Sequence, residues 1–250
     1  MSADTTPVAP QTVFLSSLSV VIPVRNEAGN IRPLVEEIRA ALKALSNYEI
    51  IYVDDGSTDA TPAELRALKA EYSELRVIRH AHSCGQSTAV RSGVKAARFE
   101  WIATLDGDGQ NDPADIPKLI AALSENIALV GGNRRHMRRD VWIKRISSVI
   151  ANGIRSRILR DSTPDTGCGL KLFRRDVYLD LPYFNHMHRF LPALVQRSGW
   201  AVVSVPVNHR PRQRGASNYG TIDRLLAGIV DLGGVFWLLR RSKLAVVSEE

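Results

Sequence analysis

The sequence predicts an α/β protein in which a mostly parallel sheet is flanked by helices. Short β-branched runs alternate with amphipathic stretches through the first half of the chain, and the connections between them are short. That alternation is typical of a parallel sheet covered by helices. The chain has 250 residues, 44% hydrophobic and 24% charged, which is ordinary for one globular domain.

The first half contains four predicted strand–helix pairs. The strands are expected at residues 18–24, 48–55, 75–80 and 101–106. The helices are expected at 28–45, 59–71, 86–98 and 113–123. The ligand of such a sheet sits at the carboxyl ends of its strands.

The second half is less regular. Strands are expected at residues 128–132, 169–173 and 201–209, and helices at 139–160, which is basic and amphipathic, and 188–198. Residues 221–241 read as one helix or a broken pair. We expect residues 1–16 to form a disordered tail and residues 221–250 to form a C-terminal amphipathic element.

Charge and cysteine usage narrow the class of partner and compartment. The net charge of +7 favours partners that carry phosphate, on a nucleotide, a nucleic acid or an anionic membrane. Cys84 and Cys168 lie far apart, which argues against a disulfide framework or a zinc ribbon and fits a reducing compartment. We expect neither a signal peptide nor a transmembrane helix, since no basic leader and no apolar run of about 18 residues is found.

The segment LDGDGQNDP, residues 105–113, crowds carboxylates directly after an apolar run. Asp106 and Asp108 would repel each other unless a cation lies between them. Two carboxylates and the Gln110 amide offer hard oxygen ligands that suit Mg²⁺ or Mn²⁺. The segment lacks the glutamate of an EF-hand loop, and a merely solvated loop is the alternative.

Two more polar clusters follow predicted strands, RNE at 25–27 and DDGSTD at 54–59. Alone, DDGSTD is also typical of an ordinary turn followed by a helix N-cap. Because the strands are expected to be parallel, all three clusters should lie along one edge of the sheet.

These motifs resemble those of the GT-A family 2 glycosyltransferases. VVIPVRNE, VDDGSTD and LDGDGQNDP occur in that order, and the glutamine is similar to the dolichol-phosphate or polyprenyl-phosphate sugar transferase branch. DTGCGLKLF, HRFLPAL and HRPRQRGASNYG extend the resemblance over about residues 18–219. It implies a GT-A fold over residues 17–220 and inverting, metal-dependent transfer from a GDP- or UDP-linked sugar to a polyprenyl or dolichyl phosphate.

The resemblance also implies a role for each matching residue. The implied nucleotide-sugar contacts are Pro23, Arg25, Glu27, Val53, Asp55, Asp106, Gly107, Asp108 and Gln110. The implied ligands of Mg²⁺ or Mn²⁺ are Asp106, Asp108 and Gln110. The implied acceptor-phosphate contacts are Arg134, Arg145, Arg212 and Ser217, and the implied catalytic residues are Asp106, Asp108, Asp165 and Arg212.

Two of these assignments carry alternatives. An acceptor phosphate is already ionised, so Asp165 is expected to orient the acceptor pocket or a basic side chain rather than act as a base; a turn or N-cap role is the alternative. The branch usually has lysine where this chain has Asn218. Either Arg214 supplies that charge or the donor phosphates are held differently.

The C-terminal stretch 225–239 has the composition of an interfacial helix, with Phe236 and Trp237 just before Arg240 and Arg241. We therefore expect a peripheral enzyme at the cytoplasmic face of a membrane. Closing the core or forming a dimer contact is the alternative, and a homo-oligomer stays open.

Other function classes fit less well. A nucleic-acid partner is not expected, because aromatic residues are few and no binding motif appears. A nucleotidyltransferase would begin with a glycine-rich loop, and a non-catalytic binder would not need the metal triplet. A family 2 enzyme with another saccharide or lipid acceptor in the cell envelope remains the main alternative. The histidines are expected at the surface or lining the pocket, and Cys168 in the packing.

Overall fold

The computed structural model describes residues 15–134, 159, 161, 163–211, 221–241 and 243, with only the backbone for 221–227. The predicted basic helix at 139–160 lies almost entirely outside the described residues, as does the predicted N-terminal tail. No helix in the described ranges is both long enough and apolar enough to cross a bilayer.

The described residues form seven strands and seven α-helices. The strands are β1 Ser17–Val24, β2 Asn47–Asp54, β3 Leu75–Arg79, β4 Trp101–Thr104, β5 Ile127–Asn133, β6 Lys171–Arg174 and β7 Ala201–Pro206. The helices are α1 Ile31–Ala41, α2 Thr61–Glu71, α3 Gln86–Ala96, α4 Ile116–Ala121, α5 Arg175–Asp180, α6 Leu191–Arg197 and α7 Thr221–Arg240. Short 3-10 turns precede α4 at Pro113–Asp115 and α6 at Met187–Arg189.

The strands form one mostly parallel sheet, as predicted, in the order β3-β2-β1-β4-β6-β5-β7. Only β6 among these strands runs against its neighbours β4 and β5. Because β6 is reversed, it begins at the edge where the parallel strands end. Lys171, its first residue, is paired with Thr104, the last residue of β4. The segment before β6 is thereby brought to the same edge as the polar clusters after β1, β2 and β4.

Helices cover both faces of the sheet. In β1 the side chains alternate: Val20 and Ile22 pack in the cluster with α1, whereas Val21 packs in the cluster with α3. All three are fully buried. Burial on both faces explains the near-continuous apolar runs of the central strands, which is the pattern of a parallel sheet.

Several predicted boundaries differ from the structure. The helix predicted at 188–198 begins at Leu191, after the 3-10 turn, with a proline in its first turn. Proline favours the first helical turn, where its missing N–H costs nothing. The helix predicted at 28–45 is shorter, Ile31–Ala41, and residues 221–240 form one helix rather than a broken pair.

Gly93 sets the distance between α3 and the sheet. A Cβ added at Gly93 would lie 2.4 Å from Val21 Cγ1 and 3.1 Å from Val53 Cγ2. Both contacts are with buried strand residues that have little room to move. The missing side chain therefore lets α3 lie close against β1 and β2.

We expect Gly93→Ala to lower the free energy of unfolding by about 1–3 kcal/mol, because overpacking a filled core is destabilising. This loss should appear although alanine favours a helix over glycine by about 1 kcal/mol. Denaturant unfolding measures it. Gly131→Ala is the matched control, since a Cβ there would meet its nearest atoms at 3.9 Å. Equal stability of the two variants would contradict the close approach of α3.

Candidate functional site

A cavity of about 640 Å³ opens at the carboxyl ends of the parallel strands. Its walls include residues after β1, β2 and β4 and the segment leading into β6. The predicted nucleotide-sugar residues that line it are Pro23, Arg25, Glu27, Asp55, Asp106, Gly107, Asp108 and Gln110. Val53 is not among them: it is fully buried in β2, one residue before the strand ends at Asp54.

The loop after β4 holds the crowded carboxylates in a tight turn. Gly109 has a φ of +72°, and the Gln110 backbone N–H donates to Asp108 Oδ1 at 3.1 Å. The Asp106 backbone N–H donates to Asn111 Oδ1 at 3.0 Å. These bonds fix the loop so that Asp106, Asp108 and Gln110 all face the cavity.

Electrostatics at Asp106 favour a bound cation. Burial raises the pKa of the Asp106 carboxyl, and the negative charge of Asp108 raises it further. Gln86 Nε2 donates to Asp106 Oδ1 at 2.9 Å, which offsets only part of the cost. The Asp106 and Asp108 carboxylates, with the Gln110 amide beside them, are a hard-oxygen set that fits Mg²⁺ or Mn²⁺.

Gly169 allows the segment before β6 to approach this loop. A Cβ at Gly169 would lie 2.1 Å from Asp106 Oδ2 and 2.7 Å from Asn111 Oδ1. Any other residue would therefore displace the Asp106 carboxylate. This close approach explains the second glycine of the DTGCG motif, Gly169.

Asp55 is held by four donors around the loop between β3 and α3. Oδ1 accepts from His80 Nδ1 at 2.7 Å and Cys84 N at 2.8 Å, and Oδ2 from Ser83 Oγ at 2.7 Å and Gly85 N at 2.9 Å. Burial raises the pKa of Asp55, but these hydrogen bonds outweigh it and the pKa is lowered. Asp55 is thus an ionised group that fixes the cavity wall.

The same network brings together a second set of metal-ligand types. One ligand atom each from Asp55, His80 and Cys84 lies within 4.8 Å of the others. No single motif in the sequence contains this group, because Asp55 follows β2 whereas His80 and Cys84 lie in the loop after β3. His80 already bonds Asp55 and, through Nε2, Ser92 Oγ at 2.9 Å. The oxygen set at Asp106 and Asp108 fits Mg²⁺ or Mn²⁺ better than this set with its thiol.

Arg134 and Asp165 form a buried bidentate pair. Arg134 Nε donates to Asp165 Oδ2 at 2.8 Å and Nη2 donates to Oδ1 at 3.0 Å, with each residue 8% exposed. Burial lowers the pKa of Arg134, but the Asp165 carboxylate raises it more. Asp165 therefore orients a basic side chain. The pair lies directly behind Gly167, which lines the cavity and whose added Cβ would be 3.6 Å from Arg134 Nη2.

The other predicted acceptor contacts, Arg145, Arg212 and Ser217, lie outside the described residues. Arg212 and Ser217 follow Arg210, which is bonded to the acidic loop after β4. Arg210 N donates to Gln110 O at 3.0 Å, and the Arg210 guanidinium bonds Asp112 at 2.7 Å. Asp112 is thus a structural member of the acidic loop.

Sequence reasoning missed Gln86 and Lys171 as cavity-lining residues, whereas His188 lines the cavity as expected for a pocket histidine. Lys171 is 5% exposed and donates to Cys168 O; burial lowers its pKa, and nearby anions act in the opposite direction. Burial also raises the pKa of the Cys168 thiol, as expected for a packing residue. The polar cluster HAHSCGQ after β3 was the available signal for Gln86, a fourth cluster at the same sheet edge.

His188 lies in the 3-10 turn before α6 and lines the cavity. Its Nδ1 is 2.7 Å from Ser87 Oγ. Burial, followed by the positive charges of Lys171 and Arg189, lowers the pKa of His188 to about 3. The ring is therefore neutral near neutral pH.

Comparison with known proteins assigns the family. The sequence profile of Glycosyl transferase family 2 matches residues 19–181, which include most of β1, all of β2 to β6 and the whole acidic loop. The chain belongs to glycosyl transferase family 2. The predicted family and the GT-A fold are both confirmed.

Family 2 relatives with sequence similarity include two bacterial transferases. The chain is 36% identical over 234 residues to the dodecaprenyl-phosphate galacturonate synthase of Rhizobium johnstonii, covering 89% of this chain and 67% of that protein. It is 33% identical over 205 residues to the undecaprenyl-phosphate 4-deoxy-4-formamido-L-arabinose transferase of Edwardsiella ictaluri, covering 81% of this chain and 63% of that one. The chain thus spans about two thirds of the length of each relative.

Solved structures with the same fold contain nucleotide sugars and metal. A mannosyltransferase of Pyrobaculum calidifontis in complex with GDP-Man and Mn²⁺ superposes with a TM-score of 0.66 at 19% identity, covering 96% of this chain and 68% of that one. The glucosyl-3-phosphoglycerate synthase of Mycobacterium tuberculosis with Mn²⁺ and UDP-glucose superposes with a TM-score of 0.65 at 19% identity, covering 90% and 79%. At this identity the likeness shows the fold.

The neutral state of His188 should appear in the pH dependence of stability. The unfolded ring titrates near pH 6.5 and the folded ring near pH 3, so the unfolded chain binds more protons between these values. The free energy of unfolding should therefore fall as the pH drops from 7 to 5. We expect this fall to be larger in the wild type than in His188→Gln by about 1–2 kcal/mol. Parallel pH profiles in guanidinium unfolding would contradict the lowered pKa.

Proposed function

We propose that this family 2 glycosyltransferase transfers a sugar from a nucleotide-diphosphate sugar to a polyprenyl or dolichyl phosphate. The observation that carries the proposal is the convergence of Asp106, Asp108 and Asp55 in one cavity beside the end of β1. The two relatives described above are named for transfer to dodecaprenyl phosphate and undecaprenyl phosphate. Residues of five of the matching motifs line that cavity: VVIPVRNE, VDDGSTD, LDGDGQNDP, DTGCGLKLF and HRFLPAL.

The donor would lie across the strand ends. A cavity of about 640 Å³ is in the usual range for a ligand of this size. Asp55, whose carboxylate is fixed in place, would face the base, and Arg25 and Glu27 would line the same side. GDP- and UDP-linked donors both fit this description, and solved relatives of the fold hold one or the other.

Asp106, Asp108 and Gln110 would hold Mg²⁺ or Mn²⁺. The metal, when bound, neutralises negative charge on the departing diphosphate. Gln86 and Asn111 keep the loop in place through their bonds to Asp106. Besides burial, the negative charge of Asp108 raises the pKa of Asp106, and a bound cation would relieve this repulsion.

The acceptor phosphate needs positioning more than deprotonation. One of its ionised oxygens would attack the anomeric carbon, forming the new C–O bond as the bond to the nucleotide diphosphate breaks, with inversion of configuration. Arg134, oriented by Asp165, would supply positive charge behind the cavity wall. Arg145, Arg212 and Ser217 would complete the acceptor contacts. The planar fork of arginine matches phosphate oxygens, which suits Arg145 and Arg212 to this role, whereas the fork of Arg134 is engaged by Asp165.

Thermal unfolding tests the donor site. UDP- and GDP-linked sugars should each be added with and without Mn²⁺ to the wild type, Asp108→Asn and Glu36→Gln. A ligand at a hundred times its dissociation constant adds about 2.7 kcal/mol of stability. We expect a Mn²⁺-dependent rise with one nucleotide class, lost in Asp108→Asn and kept in Glu36→Gln, an exposed residue of α1.

Transfer of labelled sugar to undecaprenyl phosphate in detergent tests the acceptor. Asp108→Asn should abolish it. A Mn²⁺-dependent shift without transfer to this lipid or to dolichyl phosphate would point to another acceptor. Unchanged turnover in Asp108→Asn would overturn the metal assignment itself.

We also propose that α7 contacts the cytoplasmic face of a membrane. Val235 on one side of the helix is 1% exposed and packs in the core. On the other side Ile229, Val230 and Trp237 are 59%, 74% and 58% exposed. A helix with one apolar face in the core and a second in solvent, ending in Arg240 and Arg241, is suited to lie on an anionic bilayer surface.

Co-sedimentation with vesicles tests this contact. Binding to mixed phosphatidylglycerol–phosphatidylcholine vesicles should exceed binding to pure phosphatidylcholine. Arg240→Glu should weaken it by roughly ten- to thirtyfold, because each basic residue contributes about 1 kcal/mol at an anionic surface and the substitution reverses the charge. Arg66→Glu, the same change at an exposed position of α2, is the control. Equal effects of the two substitutions would contradict a specific role of α7.

A further inference from the structure

One wall of the cavity carries an imidazole that is fixed by a residue far away in the chain. His188 Nδ1 lies 2.7 Å from Ser87 Oγ, and the same oxygen accepts the backbone N–H of His188 at 3.4 Å. Ser87 belongs to the first turn of α3 and His188 to the 3-10 turn before α6. The pair therefore joins the two elements that form this wall.

The hydrogen bonds of Ser87 define where the imidazole proton lies. Ser87 is 0% exposed, so its hydroxyl proton needs an acceptor within the protein. Among the described residues, the acceptor within reach of that hydroxyl is His188 Nδ1. A neutral imidazole has one donor and one acceptor nitrogen. With Nδ1 accepting, the proton lies on Nε2.

The ring stays neutral, because burial and nearby cations hold the pKa of His188 far below neutrality. None of the described residues accepts a hydrogen bond from its Nε2. The fold thus presents a neutral N–H donor in a residue that lines the cavity. A neutral donor suits an uncharged or partly charged oxygen, whereas a phosphate is better bound by a cation.

The position of this donor relates it to the sugar. Gln86, the neighbour of Ser87, donates to Asp106 Oδ1 at 2.9 Å, so the first turn of α3 lies against the acidic loop after β4. Ala89, Val90 and Leu191 line the same cavity. A sugar ring joined to the diphosphate offers C–H surface to such apolar side chains and oxygen substituents to a donor.

We propose that His188 Nε2–H, oriented by Ser87, donates a hydrogen bond to an oxygen substituent of the sugar that is transferred, and so helps to select the donor sugar. This inference rests on the proposed function. Ser87 is a positioning residue in this arrangement, and His188 is the residue that contacts the substrate.

Binding calorimetry with Mn²⁺ separates the sugar from the nucleotide. The probes are UDP, GDP, UDP-glucose, UDP-galacturonate and GDP-mannose, and the proteins are wild type, His188→Leu, His188→Gln and Ser87→Ala. For the nucleotide sugar that the wild type binds most tightly, His188→Leu should lose roughly tenfold in affinity, the worth of one hydrogen bond. Affinity for the free nucleotide should not change. The glutamine amide can still donate from this position, so His188→Gln should recover most of the loss.

Nitrogen NMR of histidine-labelled protein supplies an independent readout. Wild-type His188 should be the Nε2–H tautomer at neutral pH, and Ser87→Ala should mix the two tautomers while weakening the nucleotide sugar less than His188→Leu does. A role in folding alone would leave the difference between nucleotide and nucleotide sugar unchanged.

Three outcomes would overturn the inference. Equal losses for nucleotide and nucleotide sugar would make His188 a structural residue, and no loss for either would remove it from the sugar site. Both results leave the proposed function standing if Asp108→Asn abolishes nucleotide binding. A wild type that binds no nucleotide with Mn²⁺ would overturn the proposed function, and the inference with it.

Discussion

The repulsion between Asp106 and Asp108 is the constraint on which the site depends. Both carboxylates follow a buried strand, and burial together with the negative charge of Asp108 raises the pKa of Asp106. The positive charges of Lys171 and Arg134 offset part of this rise, yet the pKa of Asp106 stays raised. Gly169 leaves room for the Asp106 carboxylate, and Gln86 neutralises none of its charge while donating one hydrogen bond. A loop kept under such electrostatic strain is stabilised when a cation arrives.

The reversed strand β6 explains how the second half of the chain reaches that loop. Six parallel strands alone would bring only segments that follow strands to the binding edge. Because β6 runs the other way, the residues before it, Asp165 to Lys171, arrive there as well. The buried Arg134–Asp165 pair then links this segment to the end of β5. One change of strand direction thus brings the segment before β6 and the ends of the parallel strands to the same cavity.

The features that could be predicted from the sequence are those that a local residue pattern controls. Strand β1 was expected at 18–24 and lies at Ser17–Val24, because an apolar β-branched run buried on both faces is easily recognised. The acidic loop was equally visible. The direction of β6 was not, since strand direction depends on tertiary pairing. Nor was the Ser87–His188 contact, whose partners are 101 residues apart and carry no shared motif. Roles given to Arg145 and Arg212 stay predictions.

Helix α7 has two apolar faces with different surroundings. Its inner side chains, including Leu232 and Phe236, pack against the cluster that contains Phe190 and Leu194. Its outer face is apolar and exposed. The exposed apolar face and the core packing therefore share the same twenty residues. Substitutions on the outer face can change the surface of α7 without disturbing the core, whereas loss of the helix would expose buried side chains such as Leu194.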